Sequence, residues 1–312
     1  MQNAELNMEK EFMAYLFTHF TSDNTGDKEH IWFSLSEDGL HWTDIGPDEP
    51  ILTSELGTKG IRDPFIVYDE KMKKYFIIAT DLLAVSGDWE AFSTKGSRCI
   101  RVWESEDLIN WSDERLCEVG IPEAGCVWAP EAVFCKEKDM WFVFFASNVQ
   151  EDGETERKQR IYGTFTKDFK EFTPTFKYID GETALIDTNI VWDNGMYYRF
   201  TKDETNKFIV IDKCDTLVGK EYEKVYSETF ANFFGLEGPE AYYLDHMKKW
   251  CVIADRYHGN FGYTPFVTDD IASGIFTQLS PDEFNMGKRK KRHGGIIKIP
   301  QNVADNLIKH YK

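Results

Sequence analysis

Short runs crowded with aromatic and β-branched residues recur along the chain, separated by polar, turn-forming stretches. AYLFTHF (14–20), KYFIIATD (74–81), MWFVFFASN (140–148), MYYRFTKD (196–203) and KWCVIAD (249–255) have the length and composition of buried strands. Their leading aromatics, Tyr15, Tyr75, Trp141, Tyr197 and Trp250, are separated by 60, 66, 56 and 53 positions. Four of these runs follow a second strand candidate that carries an acidic residue near its start: RDPFIVYD (62–69), APEAVFC (129–135), IDTNIVWD (186–193) and GPEAYYLD (238–245). Asp193, Asn194 and Gly195 are strong turn residues, and DEKMKK and CKEKD have hairpin length, so each pair reads as a β-hairpin. From Glu131 to Trp141, Asp187 to Tyr197 and Glu240 to Trp250 the offset is ten, and from Asp63 to Tyr75 it is twelve.

A third element follows most hairpins, marked by a polar triplet and then an aromatic: SEDGLHW (36–42), SEDLINW (105–111), TKDFKEF (166–172) and TDDIASGIF (268–276). The fourth repeat carries the looser IDKCDTLVGKEY (211–222). These predict outer strands capped by a turn. Units of about 60 residues with four short strands each describe an all-β fold, a five-bladed β-propeller. The N-terminal unit lacks an acidic first strand, and RHGGIIKIP (292–300) supplies one if it pairs with 14–20, so the C-terminal strand closes the ring. QNVADNLIKHYK (301–312) predicts a short terminal helix, and 1–312 is expected to be a single domain.

Composition narrows the partners. A chain of 312 residues that is 42% hydrophobic and 15% aromatic is globular rather than disordered. Its 36 basic and 54 acidic residues give a net charge of −18, which repels nucleic acid and anionic membrane faces. The basic run Lys288 to Arg292 reads as a solvated loop. Six cysteines without a CxxC pair suggest reduced thiols, not a zinc site or a disulfide framework. The polar N-terminal residues MQNAELNMEKEF lack the basic and apolar regions of a secretion signal, so a cytoplasmic location is expected.

In a propeller the first strands line the central channel, so their starting positions converge on one mouth. That brings together Asp63, Glu131, Asp187 and Glu240, with His293 contributed by the closing strand. The second strands return antiparallel, which makes Asp81, Asn148, Asp203 and Arg256 rim candidates. Several carboxylates without a nucleophile array point to glycoside hydrolysis, in which one carboxylate activates water and one protonated acid assists the leaving group. A third acidic group beside the acid is expected to raise its pKa and keep it protonated. An Asp-box reading of SEDGLHW suggests a sialidase, but the chain is poor in arginine and strongly acidic.

RDPFI, WAPE, LIDTNIVWDNGMYY, LEGPE and RHG, in this order and over roughly residues 12 to 300, resemble glycoside hydrolase family 43, the α-L-arabinofuranosidase and β-xylosidase group. The resemblance implies that Asp63 is the general base and that Asp187 tunes the acid and orients substrate. It assigns the general acid to Glu237, whereas the internal repeat points to Glu240 as the rival. The resemblance also implies that Glu131 supports the site and that Trp128 offers a sugar-stacking face. His293 resembles the family's axial histidine, which faces a calcium ion or a water cluster; no cofactor is required. The implied substrates are short arabinose- or xylose-containing oligosaccharides, held in a pocket shaped by segments 82–99 and 149–160.

Overall fold

The computed structural model describes residues 13–21, 29–46 and 49–311; the N-terminal segment read above for a secretion signal lies outside them. Its twenty strands form five four-stranded antiparallel sheets, one per repeat. Blade I contains Met13–His19, Trp32–Ser36 and Thr43–Ile45, with Gly294–Pro300 as its innermost strand. This last strand pairs antiparallel along the whole of Met13–His19, which closes the ring as the sequence suggested. Blade II runs through Ile61–Asp69, Lys74–Asp81, Cys99–Ser105 and Arg115–Glu118. Blade III runs through Trp128–Cys135, Met140–Val149, Lys158–Thr166 and Phe176–Ile179. Blade IV comprises Leu185–Asp193, Met196–Asp203, Phe208–Cys214 and Glu223–Val225, and blade V Glu237–Leu244, Lys249–Arg256, Gly262–Thr268 and Thr277–Gln278.

The aromatic-rich second strands are buried almost throughout because each has a neighbouring blade on both of its faces. Five apolar cores fill the spaces between adjacent blades. Between blades II and III, for example, Phe76 stacks on Phe169 with ring centroids 4.6 Å apart. The terminal helix Gln301–His310 inserts Ala304 and Leu307 into the core between blades I and II.

The polar triplets prove to be the turns after the third strands. The Ser36 hydroxyl accepts from Gly39 N–H, and the Asp38 carboxylate accepts from the backbone N–H groups of Leu40 and His41. Ser105 and Asp107 repeat the arrangement, as do Thr166 and Asp168. Side chains that satisfy their own turn are favoured here for local reasons, so the motif is architectural.

The basic run is not a solvated loop. Lys291 is buried against Asp44, and the Arg289 guanidinium lies over the Trp32 ring. Arg292 turns into the central cavity described next. A chain of net charge −18 has acidic partners available for such cations, which composition alone did not place.

Candidate active site

The first strands of blades II to V share one irregularity close to their starts. The pairing register shifts between Arg62 and Phe65, Trp128 and Glu131, Ile186 and Thr188, and Glu237 and Glu240. At each bulge one residue has positive φ: Asp63 at 49°, Ala129 at 46°, Asp187 at 49° and Gly238 at 52°. Bulges re-aim side chains, and strained backbone of this kind clusters at functional sites. The repeat therefore aligns Asp63 and Asp187 with Ala129 and Gly238, while Glu131 and Glu240 align with Phe65 and Asn189. This corrects the alignment drawn from sequence, which placed all four acids at one level. The offset of twelve at Asp63 against ten at Glu131 and Glu240 was a trace of the error, but blade IV turns through Asn194 and Gly195 alone, two residues fewer than the other blades, which gave Asp187 the offset of ten and hid its tier. Gly238 has a further constraint, since a Cβ there would lie 2.8 Å from His293 Cγ.

Two tiers result. The upper tier opens into a cavity of about 380 Å³ lined by Asp63, Asp187 and Glu237, by the cations Arg62, Lys202, Lys207 and Arg292, and by Glu204, Tyr257 and His293. Phe20, Leu82, Trp89, Trp128 and Ile186 complete the wall. The lower tier is a closed polar cluster. The Asn189 side-chain amide donates to Glu131 at 2.9 Å and to Glu240 at 2.7 Å, and Ile296 N–H donates to the second oxygen of Glu240. His293 joins the tiers: Nδ1 is 3.6 Å from Asp63 and 3.9 Å from Asp187, and Nε2 is 3.6 Å from Glu131.

Each acid has a distinct electrostatic setting. Burial opposes ionisation of Asp63, but the facing His293 imidazolium, with the Arg62 charge and the Thr80 hydroxyl, holds its carboxyl below the usual range. The Thr80 hydroxyl donates to Asp63 at 2.9 Å and itself accepts from Ala129 N–H, which fixes the carboxylate in place. Burial pushes Asp187 up to about 6 despite the charges of His293 and Lys202, with Glu237 and Asp63 adding to the rise. Burial also opposes ionisation of the half-buried Glu237, yet Lys202 and Arg292 hold it below its ordinary range. They donate to its two oxygens at 2.9 and 2.8 Å. The expected rise from a neighbouring carboxylate thus falls on Asp187 and not on Glu237, because the cations stand nearest Glu237. Burial disfavours charge on His293, but Asp63, Glu131 and Asp187 together hold its imidazole protonated well above the ordinary range.

Trp128 and His293 line the cavity as expected, together with the three upper acids, whereas other anticipated residues do not. Glu131 lies on the floor, where burial pushes it up to about 7, and Glu240 beside it is raised well above the usual range, first by burial and then by Glu131. The Asp81 carboxylate is taken by Arg101 and by the backbone and hydroxyl of Thr58. Arg256 packs between the Phe233 and Phe261 rings. Asn148 and Asp203 are likewise outside the lining, and the Asp203 carboxylate caps the turn at Thr205 and Asn206. Of the two loop segments, 82–99 contributes Leu82 and Trp89, and 149–160 contributes nothing to the lining. Lys202, Arg62 and Arg292 were missed. Arg62 and Arg292 adjoin Asp63 and His293 in sequence, and Lys202 is the penultimate residue of a second strand, beside Asp203, so proximity to the motifs was the available signal.

The floor does not fit calcium. That ion takes six to eight oxygen ligands, whereas the glutamates here are bridged by an amide N–H₂ and faced by a charged imidazole. Among the described residues no group of three or more His, Cys, Asp and Glu side chains is arranged to hold a metal ion. Nor is any helix among them long and apolar enough to cross a membrane.

Comparison with known proteins agrees with this architecture. A curated α-L-arabinofuranosidase of Bifidobacterium longum subsp. longum is 26% identical across 93% of the chain. The chain spans only 33% of that relative's length. An exo-β-1,3-galactanase from Phanerochaete chrysosporium, solved with galactose, superposes with a TM-score of 0.62 at 12% identity, covering 86% of this chain and 60% of that one. A family-43 β-1,3-galactosidase solved with galactodeoxynojirimycin gives 0.58 at 12% identity over 91% and 92% of the two chains. A thermostable family-43 glycoside hydrolase gives 0.55 at 17% identity over 73% and 75%. At these identities the structural likeness speaks for the fold. The family-43-related model described as a probable glycosyl hydrolase domain matches residues 10–305, and the chain therefore belongs to the family 43 glycoside hydrolases.

Proposed function

We propose that the protein is an inverting exo-glycosidase that removes terminal α-L-arabinofuranose, with β-D-xylose as a second substrate, from short oligosaccharides in the cytoplasm. The observation that carries this reading is the convergence of Asp63, Asp187 and Glu237, from three blades, on one cavity with aromatic walls. Its volume of about 380 Å³ lies at the small end for ligand sites, which suits one sugar unit rather than a polymer. The name of the Bifidobacterium relative supports arabinofuranose as the sugar.

In the proposed reaction Asp63 is the base. It is ionised across the neutral range and anchored by Thr80, so it takes the proton of a water molecule as that water attacks the anomeric carbon. Glu237 gives its proton to the departing oxygen. Its pairing with Lys202 and Arg292 favours the ionised form, so substrate must weaken one of those contacts for the carboxyl to take up a proton. A second reading has one observation in its favour: Asp187, pushed up to about 6, already holds a proton in mildly acidic solution and would itself be the acid.

Leaving-group dependence separates the two. In Glu237→Gln, kcat/KM is expected to fall by about two to four orders of magnitude on a sugar leaving group and far less on an activated aryl glycoside, whose departure needs little protonation. Finding that selective loss in Asp187→Asn, with an even loss in Glu237→Gln, would transfer the role to Asp187.

A further inference from the structure

Two phenylalanines in the loops that flank the Glu237 end of blade V are left bare by the fold. Phe234 is 59% exposed and Phe261 is 67% exposed. Exposed aromatic rings clustered next to a cavity mark binding surface more often than rings scattered singly. Phe234 stands three residues before Glu237, in the connection from blade IV to blade V, and Phe261 stands in the loop between the second and third strands of blade V.

Both rings are held in place. Phe261 lies 4.4 Å from the Arg256 guanidinium, which also contacts Phe233. Phe234 meets the His258 ring edge-on, with centroids 5.2 Å apart. The two loops press together at Gly235, where φ is +84° and a Cβ would come within 2.3 Å of His258 Cβ. Gly235 N–H also donates to the carbonyl of Lys207, a residue of the cavity wall, and His258 follows the wall residue Tyr257. The patch is thus tied to the cavity margin through the chain on both sides.

We infer that Phe234 and Phe261, with His258, form the platform on which the sugar ring of the leaving group stacks, so that the enzyme selects a terminal unit attached to another saccharide. The inference rests on Glu237 as the acid: the acid protonates the departing oxygen, so the leaving group must extend past Glu237, and the loops that carry these bare rings flank its strand. The C–H face of a pyranose or furanose is apolar and matches an exposed phenyl face, while Trp89 and Trp128 stand on blades II and III with Asp63.

The test compares a trisaccharide ending in the released sugar with the methyl glycoside of that sugar, which has no leaving-group ring. For Phe234→Ala and Phe261→Ala, the ratio of kcat/KM on the trisaccharide to kcat/KM on the methyl glycoside is expected to fall about tenfold each, the size given by the apolar area one ring face hides. Phe261→Tyr is expected to keep the ratio. An unchanged ratio in both alanine variants, or the same loss on both substrates, overturns the platform while leaving the glycosidase intact. A wild-type protein that hydrolyses neither substrate removes the glycosidase reading and the platform with it.

Discussion

Asp63→Asn is expected to lower turnover by about three orders of magnitude or more while the protein melts as the wild type does. The carboxamide is close to isosteric, and its oxygen still accepts the Thr80 hydroxyl that positions Asp63. What is lost is the anion that takes the proton from water. The substitution also removes one of the negative charges that keep His293 protonated, but Glu131 and Asp187 still face that ring. Initial rates on an aryl glycoside, beside a thermal melt monitored by circular dichroism, measure both effects. Near-normal turnover in a folded variant would show that Asp63 is not the base.

The largest expected effect on stability lies outside the cavity. Arg101→Met is expected to lower the unfolding free energy by about 3–5 kcal/mol. Arg101 is fully buried and stands between two carboxylates, those of Asp81 and Glu114. It also donates to the carbonyl of Leu56 at 2.9 Å. Without it, two acids face each other with little water to screen them, the costly half of a buried ion cluster. Denaturant unfolding of the folded variant measures the loss. A midpoint equal to that of the wild type would mean that the cluster is solvated and contributes nothing.

Asp81 shows how far the sequence could be read. Its position at the end of a second strand was legible, and the penultimate residue of such a strand can reach the cavity, as Lys202 does, whereas the end residues Asp81 and Asp203 do not. The destination of its side chain was not legible, because that depends on Arg101, twenty residues later in a third strand. The five repeats and the closure by Gly294–Pro300 were readable because hydrophobic period and turn chemistry are local signals. The bulges were not. A register shift inserts a residue without changing composition, and only with the four shifts aligned do Asp63 and Asp187, at the bulge, stand a tier above Glu131 and Glu240, which follow it.

The same reason explains the cations. Lys202 and Arg292 are ordinary charged residues in sequence, and the basic run that includes Arg292 has the look of a surface loop. In the fold they converge on Glu237 from blade IV and from the approach to the closing strand of blade I. Their charge reverses the shift that a cluster of acids alone predicts. A reading that counts acids without placing their counterions therefore expects the rise at Glu237, where the cations prevent it, and not at Asp187.

The measurement that bears most directly on the proposed activity is a proton NMR time course during the first minutes of hydrolysis of an aryl α-L-arabinofuranoside. The account predicts release of arabinose whose first-formed furanose is the β anomer, since water attacks from the face opposite the departing group. Release of the α anomer first, or no release by well-folded protein, would contradict it.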